Sequence, residues 1–293
     1  MRPKFHKQIT ILTLCISALA GFAALVGIFS RGGPGTVEHV SVHGQKVLLH
    51  GEGVYRHMSA DVAIQGIAQD WVTLCVGVPL LLFSLILFRN NRLKGAILLA
   101  GASLYFLLTY LFYLTMATYN PLFLVYVALL SCSLFNLALT IIPLSCRDWT
   151  GIVSSRLGRG AGLFMMINAG QVALLWLGAV VPPLLDGSIY PQQLQHYTTL
   201  IVQGLDLAIF LPLGFVSGLL AYRRSPTGVL FSMVYLIFLS VLMLALISKI
   251  AFMGAAGANI IPVVFIMPAI CLISLTFSGL MLGRLDHPTA ALP

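Results

Sequence analysis

The sequence predicts an all-α polytopic membrane protein. It is expected to form one integral domain over 1–293, with eight transmembrane helices and a small extracytoplasmic β-hairpin between helices one and two. Three observations carry that expectation. The chain is 59% hydrophobic and only 8% charged, where a soluble domain carries about 25% charged residues. Eight apolar stretches reach the roughly 20 residues that a bilayer crossing needs. The basic residues gather in alternate loops, as the positive-inside rule requires of a multi-pass chain.

The first span covers 8–30. "MRPKFHKQ" before it and "ALA" at 18–20 give it some likeness to a secretory signal. Signal h-regions run about 7–15 residues, whereas this chain is uncharged from Ile9 to Phe29, so a retained helix is expected. Residues 31–65 then form a water-facing segment. "VEHVSVH" and "KVLLH" flank Gly44-Gln45, and Gly first in a two-residue loop suits a type II′ hairpin. That register opposes Val42 to Val47, Val40 to Leu49 and His39 to His50. Val40, Val42, Val47 and Leu49 then make one apolar face. On the other face His39 and His50 meet, within reach of one Zn²⁺ or Cu²⁺; a pH-responsive role and a plain solvated cap are the alternatives. Ser59 suits an N-cap, with Asp61 in the first turn, so helix two is expected to begin near Ala60. The remaining spans fall at 66–88, 96–118, 121–143, 161–183, 199–222, 229–251 and 260–283.

Charge orients the bundle. Of 16 Lys and Arg residues, only Arg31, Lys46, Arg56 and Lys249 fall outside the N-terminus, the C-terminal end and the turns at Arg89–Lys94, Arg147–Arg159 and Arg223–Arg224. Both termini are therefore expected to be cytoplasmic, in an inner membrane. The formal charge of +8 is explained by topology, so no nucleic-acid partner is expected; the partners are the lipid bilayer and a candidate membrane-protein partner.

Two halves, 1–145 and 146–293, read as a candidate parallel 4+4 repeat. Helices two and six each carry an acid near the outer end, Asp70 and Asp206, and a mid-span proline, Pro79 and Pro212. Helices four and eight begin with Asn and then Pro, at Pro121 and Pro262. Parallel repeats occur in secondary transporters, with substrate at the repeat interface.

Ionisable groups at membrane depth are functional candidates by default. Asp206 lies about 25 Å from Arg223 along its helix, at 1.5 Å per residue, and Lys249 reaches a similar level, so the two are expected to pair. Asp70 takes the matching place in the first half, with Arg56 its nearest candidate cation and Tyr55 beside it at the mouth. Asn168 and Gln171 share a face of helix five at i, i+3 spacing, and Asn136 is expected at similar depth. Tyr105, Tyr110, Tyr113 and Tyr126 are candidates to line a polar path; Trp71, Tyr119, Tyr190 and Tyr197 read as interfacial belt anchors. No P-loop, HExxH or GxSxG motif is present, no CxxC pairs the five cysteines, and no cofactor is expected.

The runs Gly51-x-Gly53-Val54-Tyr55-Arg56, Asp70-x-Val72-Thr73-Leu74 and Asn120-x-Leu122-Phe123-Leu124-Val125-Tyr126 resemble those of a family of bacterial eight-span inner-membrane proteins of unknown function. The likeness covers roughly 35–140 well and the second half loosely. Relatives often carry an acid soon after the Tyr-Arg pair, where this chain has His57, with Asp61 four residues on. The resemblance implies a bacterial cytoplasmic membrane and supplies no activity.

The reading that follows is a small-solute or ion transporter or permease-like component, with Asp70, Asp206 and Lys249 leading. The alternative is a non-catalytic sensor or assembly subunit that recognises a partner through its extracytoplasmic segment.

Overall fold

The computed structural model describes residues 5–286; the basic residues Arg2 and Lys4, used above for orientation, lie outside that range. Eight helices are long and apolar enough to cross a bilayer: α1 (His6–Phe29), α2 (Ala60–Arg89), α3 (Leu93–Met116), α4 (Phe123–Ser145), α5 (Ser155–Leu185), α6 (Ile201–Tyr222), α7 (Pro226–Ala255) and α8 (Val263–Gly283). Each overlaps one expected span. This is the make-up of an integral membrane protein. Between α1 and α2 lies one antiparallel pair, β1 (Val37–Val40) and β2 (Lys46–Leu49).

Chain neighbours pack side by side in both halves: α1 on α2, α2 on α3, α3 on α4, and likewise from α5 to α8. The halves meet where α7 lies against α2 and α3. Consequently α3 and α7 form the core, with 67% and 72% of their apolar windows buried, against 17% for α5 and α8. Lipid is as apolar as leucine, so helices join through small residues that permit close approach. Gly101 of α3 does this against α7: a Cβ built there would sit 2.6 Å from Ile237 Cβ.

Both α2 and α6 contain one widened π turn, at Thr73–Gly77 and Asp206–Phe210. In them the Val78 N–H donates to Thr73 O and the Leu211 N–H to Asp206 O. Pro79 and Pro212 follow directly. A proline removes an N–H and crowds the carbonyl four residues back, and a π turn there re-spaces the ladder. Each helix then ends in a tight turn with a left-handed residue, Asn91 (φ 56) or Arg224 (φ 64). Gly95 and Gly228 press on the end of the preceding helix, with no room for a Cβ. All these pairs are 133 positions apart (206 − 73).

That register corrects one expectation. Asp206 matches Thr73 and Asp70 matches Gln203, so the two acids sit about one turn apart rather than in equivalent places.

The hairpin also differs from the expected one. Its pairs are Val37–Leu49, Glu38–Leu48, His39–Val47 and Val40–Lys46, so residues 41–45 form the loop. Ser41 closes it: its N–H donates to Gln45 O at 2.8 Å, and its hydroxyl accepts from the Gln45 N–H at 3.1 Å. The side-chain bond outcompetes the two-residue turn. His39 therefore faces Val47 rather than His50, which separates the two expected metal ligands. Val47 is buried, whereas Val40 and Val42 are exposed. Helix α2 does start at Ala60, although the Ser59 hydroxyl makes no cap bond.

Replacing Gly101 by Ala should lower stability by about 1–3 kcal/mol, the usual effect of overpacking. Thermal unfolding of the purified variant measures it; an unchanged transition would mean the α3–α7 crossing is looser than described.

Candidate functional site

The site grows from the chain leaving α1. Ser30 Oγ accepts from the Val54 N–H at 3.0 Å, and Gly32 O accepts from the Gly53 N–H at 2.9 Å. Gly53 has φ +57, and a Cβ there would lie 2.5 Å from Ser30 Oγ; only glycine tolerates both conditions. The short turn Gly53–Tyr55 then drives Tyr55 inward, where it is 2% exposed. Its hydroxyl donates to Asp70 Oδ2 at 2.5 Å. Burial and the Asp70 charge push that hydroxyl's pKa well above its ordinary value, so Tyr55 remains a donor.

Asp70 is 1% exposed. Its second oxygen accepts from Tyr113 of α3 at 2.9 Å, and Tyr113 also lies 3.0 Å from Gly66 O; one phenolic proton is shared between two acceptors. Gly27 of α1 closes the remaining side, where a Cβ would fall 1.9 Å from Asp70 Oδ2. An unpaired carboxylate buried like this costs several kcal/mol, and the two tyrosine donors offset much of that. A second layer continues along α2. Gln69 Nε2 donates to Tyr105 OH at 2.7 Å, and the Thr73 hydroxyl lies 3.1 Å from the same oxygen. Tyr126 packs edge-on to Tyr113, ring centroids 5.4 Å apart, and its buried hydroxyl has no partner. The expected tyrosine path thus exists as a packed cluster.

Across the seam between the halves stands Lys249 of α7. The neighbouring Ser248 hydroxyl donates to Ala68 O of α2 at 3.1 Å, which ties this turn of α7 to α2. Its charge acts on both Asp206 and Asp70, more strongly on Asp206. Among the described residues, no carboxylate closes to within 4.0 Å of its ammonium. The expected Asp206–Lys249 pair is therefore a through-space interaction shared with a second acid. Asp206 is held instead by Trp176 of α5, whose Nε1 donates to Oδ2 at 2.9 Å.

Several expectations change. Arg56 is exposed, its Nε 3.0 Å from His57 Nε2, so Lys249 rather than Arg56 is the cation near Asp70. Asn136 does not join Asn168; its amide donates to Thr13 and Ser103 at 3.2 and 2.9 Å, tying α1, α3 and α4 together. Asn168 is buried on α5 while Gln171 is exposed, so they do not present one buried face. Trp176 was missed because nothing in an apolar helix marks which side of it faces the neighbouring helix.

The hairpin is clasped from the other half. Gln45 Nε2 donates to Gln192 O at 3.0 Å, and His43 stacks on Tyr190 at 4.1 Å between centroids. His39 packs edge-on to His196 at 5.9 Å. Nε2 of His196 lies 3.0 Å from His57 O; a carbonyl only accepts, so this nitrogen carries the proton and Nδ1 is left as an unpartnered acceptor. Burial, aided by the nearby His39, lowers the His196 pKa from its usual range and favours that neutral form, against the raising effect of the His57 bond. Tyr190 and Tyr197 therefore belong to this clasp. His50 is held separately, its N–H donating to Met58 O at 2.9 Å, and burial lowers its pKa.

Replacing Tyr113 by Phe strips one donor from a buried carboxylate and should cost about 1–3 kcal/mol. Repeating the change in an Asp70→Asn background should cost less, by at least about 0.5 kcal/mol if the two groups are coupled. Unfolding of the purified variants measures the cycle, and equal losses in both backgrounds would dissolve the link. Compared with known proteins, the chain matches no family model, no curated protein and no solved structure.

Proposed function

We propose that the chain is a small-solute or ion transporter or permease-like component, coupled at the Asp70–Lys249–Asp206 cluster. One observation carries the reading: a single intramembrane ammonium acts on two carboxylates, one on a helix of each half, without closing on either. Taken as ions the three sum to one negative charge, so one proton or monovalent cation completes the site. Ionisable groups at such depth are expensive and tend to mark ion pathways. A cation between two acids also offers two alternative pairings, the kind of element that alternating access needs.

The matched π turns, prolines and tight turns of α2 and α6 support descent of the halves from one duplicated unit, and parallel-repeat carriers hold substrate at such an interface. By charge, the arginine-bearing turns face the cytoplasm of a bacterial cell and the hairpin faces outward.

A second reading rests on the hairpin. Val40, Val42 and Leu48 are 59%, 86% and 48% exposed, an apolar edge suited to a membrane-protein partner in sensing or assembly.

Proteoliposomes carrying a trapped pH dye, challenged with proton, Na⁺ and K⁺ gradients, test the first reading. Asp206→Asn and Lys249→Met should lower ion flux tenfold or more while leaving folded yield unchanged. Wild-type flux no greater than in empty vesicles sinks it and leaves the partner reading. Orientation is checked separately: a cysteine placed at Gln45 should react with an impermeant maleimide from outside intact cells, and protection there would invert the topology.

A further inference from the structure

Beside the clasp lies a pocket of about 640 Å³, walled by the hairpin, the start of α2 and the loop after α5. It is separate from the Asp70–Lys249–Asp206 cluster and does not depend on the transport reading. Its volume falls within the roughly 300–1,000 Å³ of small-molecule sites. Six lining residues set its chemistry: Gln45, Lys46, Asp61, Tyr190, Gln192 and Gln195.

Lys46 and Asp61 cancel in formal charge, so no net field selects an ion. Three planar amides remain, and each can both donate and accept. Tyr190 contributes an aromatic ring, 53% exposed, with its plane fixed by the stack on His43. Amides that bracket adjacent hydroxyls, next to a ring that covers C–H groups, are the elements of polyol recognition.

Unsatisfied atoms narrow the choice. His43 and Gln195 both line the pocket, and each carries a buried polar atom without a partner: Nε2 and Oε1. His196 Nδ1, one residue further along the loop, is a third. Leaving such a group unpaired costs about 1–3 kcal/mol. Gln195 Oε1 and His196 Nδ1 only accept, so what completes them must donate. An ionised carboxylate only accepts and cannot do that; a hydroxyl can.

We propose that this pocket binds a small, neutral, hydroxyl-rich solute, of mono- or disaccharide size, across the join between the hairpin and the loop after α5. The solute's hydroxyls supply the missing partner at Gln195, and its C–H face lies against Tyr190.

Isothermal titration of the full chain in lipid nanodiscs, free of sugar-headed detergent, tests this with glucose, maltose and myo-inositol as probes and glutamate and inorganic phosphate as charged controls. At least one neutral probe should bind saturably, and Gln195→Ala and the more exposed Gln192→Ala should each weaken it tenfold or more. Asp70→Asn, which alters the core cluster, should leave that affinity unchanged, so a failure of transport and a failure of this site are told apart. Three results overturn the proposal: no saturable binding of any neutral probe, binding undiminished in both glutamine variants, or preference for glutamate or phosphate.

Discussion

Everything near the seam between the halves follows from one constraint: a carboxylate kept inside a bilayer must be given donors there. Asp70 takes them from Tyr55 and Tyr113, and these two come from opposite directions in the fold. Tyr113 is delivered by α3 as it packs on α2. Tyr55 must be carried in by the segment that leaves α1, and that requires glycines where the backbone turns left-handed and crowds Ser30 and Gly35. Gly27 and Gly66 then leave room for the carboxylate and the Tyr55 ring. The water-soluble segment is thus anchored at its root by a demand that arises in the lipid.

Three short runs of the first half, Gly51–Arg56, Asp70–Leu74 and Asn120–Tyr126, converge on this place. Gly51, Gly53 and Tyr55 form the turn, and Asp70 and Thr73 face the tyrosines. Asn120 starts α4 by accepting from the Leu122 N–H at 2.8 Å, which sets Tyr126 against Tyr113. Residues scattered over seventy-odd positions of sequence therefore serve one cluster.

Much of this was legible in the sequence. Apolar length alone gives the eight helices, because the bilayer sets one dimension that each must meet. Asp70, Asp206 and Lys249 stood out because charge is rare where they lie. What stayed hidden were the partners. Trp176 and Tyr113 are found only once the rotation of α5 and α3 about their axes is known, and sequences hydrophobic all round carry little record of rotation. The hairpin register was hidden for a different reason. Ser41 satisfies its own loop through a local side-chain bond, and alternation of apolar residues does not report that. The mid-span prolines signalled a disturbance in α2 and α6, but not that it would take the form of a π turn; the offset of the two acids was already written in their unequal distances from those prolines.

The clasp between residues 37–50 and 186–197 has a consequence for how the molecule is made. A chain synthesised from its N-terminus makes the hairpin first, then has to make four further helices before Tyr190, Gln192 and His196 exist to meet it. Throughout that interval His39, His43 and Gln45 lack the surface they finally rest upon. The clasp can accordingly form only late, once the loop that follows the fifth helix has been made.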